Sequence, residues 1–189
     1  MGWIIVPLVR RQVEDLGVEV GSRSECVAGC QPVDCPIQLA CDDDGAPACA
    51  QVKRSHGRIL QLCDVLEEIA DALPGRVDRG QCRIVGDMLM PLLRYGHDYE
   101  EQHFFPAYER GEAEPGSRAQ TIRRLKGEHM ADEGAAQDVA DALSALGDGA
   151  PVTNAEALGF MLRAFFEAQR RHVAFEQEHL LPLVVRRAI

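Results

Sequence analysis

From about residue 51 onward, apolar positions repeat with a helical period, and they do so in four successive stretches. In the first, Val52, His56, Ile59, Cys63, Leu66, Ala70 and Leu73 recur at alternating steps of four and three. That spacing lines them up on one helix face. Pro74-Gly75 ends the pattern. The second stretch runs from about Asp78 to Arg110, with Met90, Leu93, His97, Glu101, Phe104 and Tyr108 on one side. Pro91 lies inside it and predicts a kink or a local loss of hydrogen bonding. The segment Gly111 to Gly116, with Pro115, forms the next break. The third stretch, Ser117 to Leu146, carries Ile122, Leu125, His129, Ala136, Val139, Leu143 and Leu146, and its apolar stripe is interrupted by Asp132 and Glu133. After the break from Gly147 to Pro151, a fourth stretch starts near Thr153 or Asn154, either of which suits an N-cap. It carries Leu158, Met161, Phe165, Ala168, His172, Phe175 and His179. Four helices with short connections predict an all-α fold, an antiparallel up-down-up-down four-helix bundle over residues 51–189.

Residues 1–50 read differently, as an irregular, acidic, Cys-rich segment. They hold eight acids against three bases, with frequent Gly, Pro and Cys and no long period. Cys26, Cys30, Cys35, Cys41 and Cys49 crowd together there without a tight C-x-x-C knuckle, so a thiol-bearing tail is expected rather than a zinc or iron–sulfur site. Cys63, in the first helical seam, reads as a small core residue. The apolar run Trp3 to Val9 is short and is preceded only by Met1 and Gly2, a poor match to a signal peptide.

Composition narrows the function classes. Aromatic residues make up only 5% of the 189 residues, in keeping with helix rather than sandwich or barrel. The net charge of −10 argues against nucleic-acid and anionic-membrane partners. Seven cysteines, unevenly spread, fit reduced thiols better than a disulfide scaffold. A soluble, cytoplasmic protein is the expectation.

The chemistry lies in the seams, each of which contains a histidine: His56, His97, His129 and His172. In antiparallel neighbours, two residues are level when the turn lies midway between them. Midway between His56 and His97 is Arg76-Val77, beside Pro74-Gly75. Midway between His97 and His129 is Ala113, inside the second break, and midway between His129 and His172 is Ala150-Pro151. The four imidazoles should therefore converge on one layer. Three carboxylates follow at i+4: Glu101, Glu133 and Glu176. Four residues is about 400° of rotation and about 6 Å of rise, so each pair faces the same way. A lone histidine on an apolar face is usually a hydrogen-bonded core residue, but four at one height are hard to reach by accident. Buried carboxylates are costly unless a cation neutralises them. Imidazole with carboxylate suits iron, zinc or manganese. Seven ligands exceed one tetrahedral zinc and suit two octahedral ions sharing bridging carboxylates.

The pieces VKRSHGRILQL around His56, HDYEEQHFFPAY around His97 and Glu101, LKGEHMADE around His129, and HVAFEQEHLLPLV around His172 and Glu176 resemble the hemerythrin-type HHE cation-binding domain. The resemblance covers residues 51–187 and includes Pro106 and Pro182 after two of the His-Glu pairs. It implies a centre of two non-haem iron ions, oxo- and carboxylate-bridged, in a four-helix bundle. Glu101 and Glu176 then look like the bridging carboxylates, and the four histidines like terminal ligands. Oxygen-carrying members have a second histidine on the third helix where this chain has Glu133, with Asp132 one residue before it. They also have Asp five residues after the fourth-helix histidine, where Glu176 stands four residues after His172. A carboxylate is a harder donor and favours ferric iron. The implied role is therefore binding or redox processing of a small ligand (oxygen, peroxide or nitric oxide) in stress or sensing, rather than oxygen carriage.

Two alternatives share these residues. Iron–sulfur repair proteins have a similar His/Glu pattern but adjacent cysteines near the N-terminus, which this chain lacks. Glu100-Glu101-Gln102-His103 and Glu176-Gln177-Glu178-His179 each contain Glu-x-x-His, the ferritin-like signature, with Glu133 and Glu67 or Glu68 as its further carboxylates. That fold needs a long connection between helices two and three, where about six residues are available. It also leaves the four seam histidines unexplained. His179 is expected beside the site and His103 at its rim.

Overall fold

The computed structural model describes residues 47–110, 116 and 118–185. The readings of Cys26, Cys30, Cys35 and Cys41, of the run Trp3 to Val9, and of Gly111 to Pro115 lie outside the described residues. Every described element is helical, with no strand among the described residues. The order is α1 (Pro47–Ala72), α2 (Arg79–Tyr99), a π-helical turn π1 (Glu100–Phe104), α3 (Phe105–Glu109), α4 (Ala119–Gly147), α5 (Ala155–Phe175), a second π turn π2 (Glu176–Leu180) and α6 (Leu181–Val185). The backbone stays helical from α2 through π1 into α3, and from α5 through π2 into α6. The described residues thus make four long rods.

Local chemistry sets the rod ends. Asp78 caps α2, its carboxylate accepting from the Gln81 N–H at 3.1 Å. Asn154 caps α5 in the same way, accepting from the Ala157 N–H at 2.9 Å. Each cap satisfies one orphan donor of a first turn, worth about 1 kcal/mol. α1 begins at Pro47, a residue suited to a first turn because its missing N–H would have no partner there. Cys49 therefore belongs to a helix and is buried, whereas its spacing had grouped it with the irregular segment. Pro91 does not break α2, which runs unbroken past it with the ring on the exposed face. The irregularity of that rod is π1, further along.

Contacts between rods follow a consistent order. Asp71 pairs with Arg163 at 2.6 Å, Asp64 with Arg170 at 2.8 Å, and His56 meets Glu176 at 2.9 Å. Numbers fall along α1 as they rise along α5. Between α2 and α4 the same holds, from Arg79 on the carbonyls of Leu146 and Ala150 to Arg94 on Glu133 and Glu101 on Lys126. α2 and α4 approach closely because small residues line their contact. A Cβ on Gly86 would sit 2.6 Å from Ser144 Oγ and 3.1 Å from the Ala140 carbonyl oxygen. One on Gly147 would sit 2.6 Å from Arg83 Cβ.

Two apolar cores result. The larger joins Ile59, Leu66, Leu89, Leu93, Leu143, Leu162 and Phe165 with their neighbours. The smaller joins Val52, Phe104, Phe105, Leu125, Leu180 and Val184 with theirs. Between them in sequence along the first three rods come His56, His97 with Glu100, and His129, and on the fourth His172 and Glu176 bracket Val173, the last residue of the larger core, all of them buried. No helix among the described residues is long and apolar enough to cross a membrane.

Cys49, Cys63 and Cys82 are buried free thiols, and burial pushes Cys63 up to about 12 and Cys82 up to about 11. Alkylation of the native protein, mapped by mass spectrometry, should leave these three unmodified until denaturant is added. Gly86→Val should cost about 1–3 kcal/mol in the unfolding of the metal-free protein, because the new side chain meets backbone as well as Ser144. An unchanged unfolding midpoint would refute the close contact.

Candidate metal centre

Four buried residues from three rods, Glu100, His129, His172 and Glu176, each place a ligand atom within 4.8 Å of those of the others. Nε2 of His129 lies 3.3 Å from Glu100 Oε2, and Nε2 of His172 lies 3.7 Å from Glu176 Oε1. The fourth rod, α1, supplies His56, whose Nε2 meets Glu176 Oε2 at 2.9 Å and Glu100 Oε1 at 3.2 Å. His97 flanks the group. Its ring stacks on that of His129 at 3.9 Å between centroids with the planes 3° apart, and lies 6.2 Å from that of His172. The rings of His129 and His172 are 5.1 Å apart. The seam histidines thus meet in one layer.

The carboxylates sort differently from their i+4 spacing. Glu176 is fully buried at the start of π2 and belongs to the inner group. Glu101 and Glu133 do not. Their side chains are 33% and 31% exposed, and each faces the outer nitrogen of an imidazole. The inner place on the second rod belongs to Glu100, which is 4% exposed. The physical reason is that i+3 and i+4 positions straddle the same face, one about 60° to one side and the other about 40° to the opposite side. Spacing from His97 alone could not choose between Glu100 and Glu101. A second signal could have. Glu100-x-x-His103-Phe104-Phe105-Pro106 and Glu176-x-x-His179-Leu180-Leu181-Pro182 are the same pattern. In both, the glutamate opens a π turn and the two apolar residues before the proline enter the smaller core. Aligned this way, Glu100 is the counterpart of Glu176.

The outer carboxylates still have a role. His129 Nδ1–H donates to Glu101 Oε1 at 3.0 Å, and His97 Nδ1–H donates to Glu133 Oε1 at 3.2 Å. His172 Nδ1 lies 3.3 Å from Glu128 and 3.9 Å from Asp132. Lys126 holds Glu101 at 3.1 Å and Arg94 holds Glu133 at 3.2 Å. A carboxylate on Nδ1 keeps the proton there and leaves Nε2 as a lone-pair donor. Glu128 and Lys126 were not singled out by the sequence because they lie off the apolar stripe.

The electrostatics show a cluster built around positive charge. Burial pulls the His56 imidazole down, but its hydrogen bonds to Glu100 and Glu176 outweigh this and raise it to about 9. Burial pushes Glu100 up, while His129 and His56 pull it further down, leaving it below the ordinary carboxylate range. His97 is lowered, first by burial and then by His129 beside it. His172 is raised, because Glu176 outweighs the effect of burial. Several buried atoms have no hydrogen-bond partner among the described residues: Glu100 Oε2, Glu176 Oε1, His129 Nε2, His172 Nε2 and Nδ1, and His56 Nδ1. Buried acceptors left unpaired cost about 1–3 kcal/mol each, and more when charged. A divalent or trivalent cation among them relieves that cost, so the donor set fits a metal.

The Glu-x-x-His reading of a ferritin-like site finds no support in the geometry. His103 and His179 are exposed, packing on Tyr99 and Phe175 respectively, and Glu67 is engaged with Arg170. His179 thus points to solvent rather than lying beside the site.

No match occurs among curated proteins, and none among solved structures. The family model described as the hemerythrin HHE cation binding domain matches residues 49–184, which span all four rods and every residue of the buried layer. The chain belongs to the hemerythrin HHE cation-binding domain family.

Proposed function

We propose that this is a non-haem di-iron protein that binds or redox-processes a small ligand (oxygen, peroxide or nitric oxide). The observation that carries the reading is the buried group Glu100, His129, His172 and Glu176, with unpaired lone pairs converging from three rods. Iron bound there would supply a change of valence and an exchangeable coordination position. The order of contacts between the rods supports an antiparallel up-down-up-down bundle, which is what brings the four seam histidines level.

The chain's own residues divide the work. Glu100 and Glu176 lie on either side of His56 and are the carboxylates best placed to bridge two ions. In the metal-free chain His56, raised to about 9, offsets part of that pair's charge. Glu101 and Glu133 hold the protons of His129 and His97 on the outer nitrogens. The apolar cores on both sides exclude bulk water and lower the local dielectric, which strengthens each of these interactions. Two anionic bridges and hard oxygen donors stabilise the higher valence, which favours turnover or sensing over reversible oxygen carriage. A place in a stress or sensing response in the cytoplasm follows from this reading.

Anaerobic loading followed by elemental analysis should give about two irons per chain. One zinc and no iron would overturn the di-iron reading. Glu100→Ala should lose much of the iron, whereas Glu101→Ala should keep most of it and change mainly the orientation of His129. Iron content of the two variants, measured side by side, checks the assignment, and the reverse order would return the bridging role to Glu101. Losing an orienting carboxylate typically costs about 10- to 100-fold in metal affinity, so Glu133→Gln should weaken binding through His97 within that range, read by chelator competition.

A further inference from the structure

Glycine draws α2 and α4 together, but nothing of the kind joins α4 to α5. Among the described residues, the ion pairs between α4 and α5 are those of His172 with Glu128 and with Asp132, both at the level of the buried layer. From there toward the larger core the two rods leave a groove between them, with a volume of about 200 Å³. Its floor is Val139 and Phe165, both buried members of that core. Ala135 on one wall and Ala164 and Ala168 on the other have side chains too short to fill it. The α4 wall carries two acids, Asp132 toward the layer and Asp138 toward the far end. They are about 9 Å apart along the helix axis. Basic side chains of α5 turn elsewhere, Arg163 to Asp71 and Arg170 to Asp64 and Glu67, all on α1. Asp138 has no basic partner among the described residues, and Asp132 has only His172, at 3.9 Å.

Such a groove is complementary to an occupant that is apolar in the middle and cationic at both ends. A compact cation would leave the floor uncovered, a neutral apolar molecule would leave the acids unanswered, and an anion is opposed by the acids and by the net charge of −10. We propose that the groove binds a linear alkyl diammonium, its methylenes lying on Val139 and Phe165 and one ammonium on each aspartate. A lysine side chain divides in the same way, stem on apolar surface and charged head at the polar edge. Extended hexane-1,6-diammonium has about the span that separates the two acids. The volume is below that of pockets for drug-sized ligands, which suits a slender occupant and excludes bulky ones. The site lies on the outer face of the α4–α5 seam, contains none of Glu100, His129, His172 and Glu176, and does not depend on the di-iron reading.

The test uses the full chain as purified, with its metal content measured, and titration calorimetry. Hexane-1,6-diamine should bind more tightly than hexylamine, and hexane-1,6-diol should show no measurable binding. Butane-1,4-diamine, too short to reach both acids, should lose the advantage over hexylamine. Asp138→Asn, at an exposed position, should weaken hexane-1,6-diamine about two- to fivefold, the range of one exposed ion pair. Ala164→Leu, also at an exposed position, fills the groove and should abolish binding. Both variants should keep the metal content of the wild type. The proposal is overturned if the diol binds as well as the diamine, or if both variants keep wild-type affinity. Release of metal in step with binding would place the amine on the metal and overturn it too. So would a dimer in sedimentation that Ala164→Leu dissociates, since the groove would then belong to a second copy of the chain. Should Ala164→Leu fail to fold, Asp138→Asn and the series of probes decide.

Discussion

Two carboxyl groups, Glu100 and Glu176, sit at 4% and 0% exposure between two apolar cores, and the rest of the molecule is arranged around partnering them. Moving a lone carboxylate into such surroundings costs several kcal/mol even after relaxation. The four rods each contribute an imidazole to the same layer, and a second set of carboxylates stands behind those rings. The layer is therefore a sandwich of charge: acids inside, imidazoles around them, acids again at the rim, with Lys126 and Arg94 outermost. Helix propensity and apolar packing hold the rods together on either side, but only a cation at the centre completes the balance.

That alternation also explains how far the site could be read from the residues alone. The layer was legible because histidine is conspicuous in an apolar seam and because each connecting break falls midway between two histidines. The four rods and the N-cap at Asn154 followed from period and capping chemistry. The choice between Glu100 and Glu101 did not, because adjacent acids on a helix straddle one face and both find an imidazole. What decides is the π turn that begins at Glu100, which carries Phe104 and Phe105 together into the smaller core. A π turn has no composition of its own. Its trace in the sequence is indirect, in the shared Glu-x-x-His pattern ending in proline. Pro91, by contrast, announced a disturbance that the exposed side of α2 absorbs.

The same comparison corrects the meaning of the glutamate at i+4 from His129. Glu133 was read as a hard ligand in place of an imidazole, yet it reaches His97 across the α2–α4 contact and is held there by Arg94. Its influence is exerted through the ring it orients. The close approach that allows this depends on Gly86, which faces Ser144 and Ala140, and on Gly147, which faces Arg83, so small residues remote from the layer set the distance at which the outer carboxylates work.

The two cores are unequal, and this gives the layer a direction. The larger one ties the middle and one end of all four rods, while the smaller one ties the start of α1, the two tails α3 and α6, and the beginning of α4. Opening free energies within one domain range from near zero at fraying ends to the full unfolding value at the main core. The smaller end therefore opens more often than the larger, and each opening bares the imidazoles and acids while most of the protein stays folded. Amide exchange will be fastest on that side. The packing of Phe104, Phe105, Leu180 and Leu181 is thus what stands between the buried layer and the opening end.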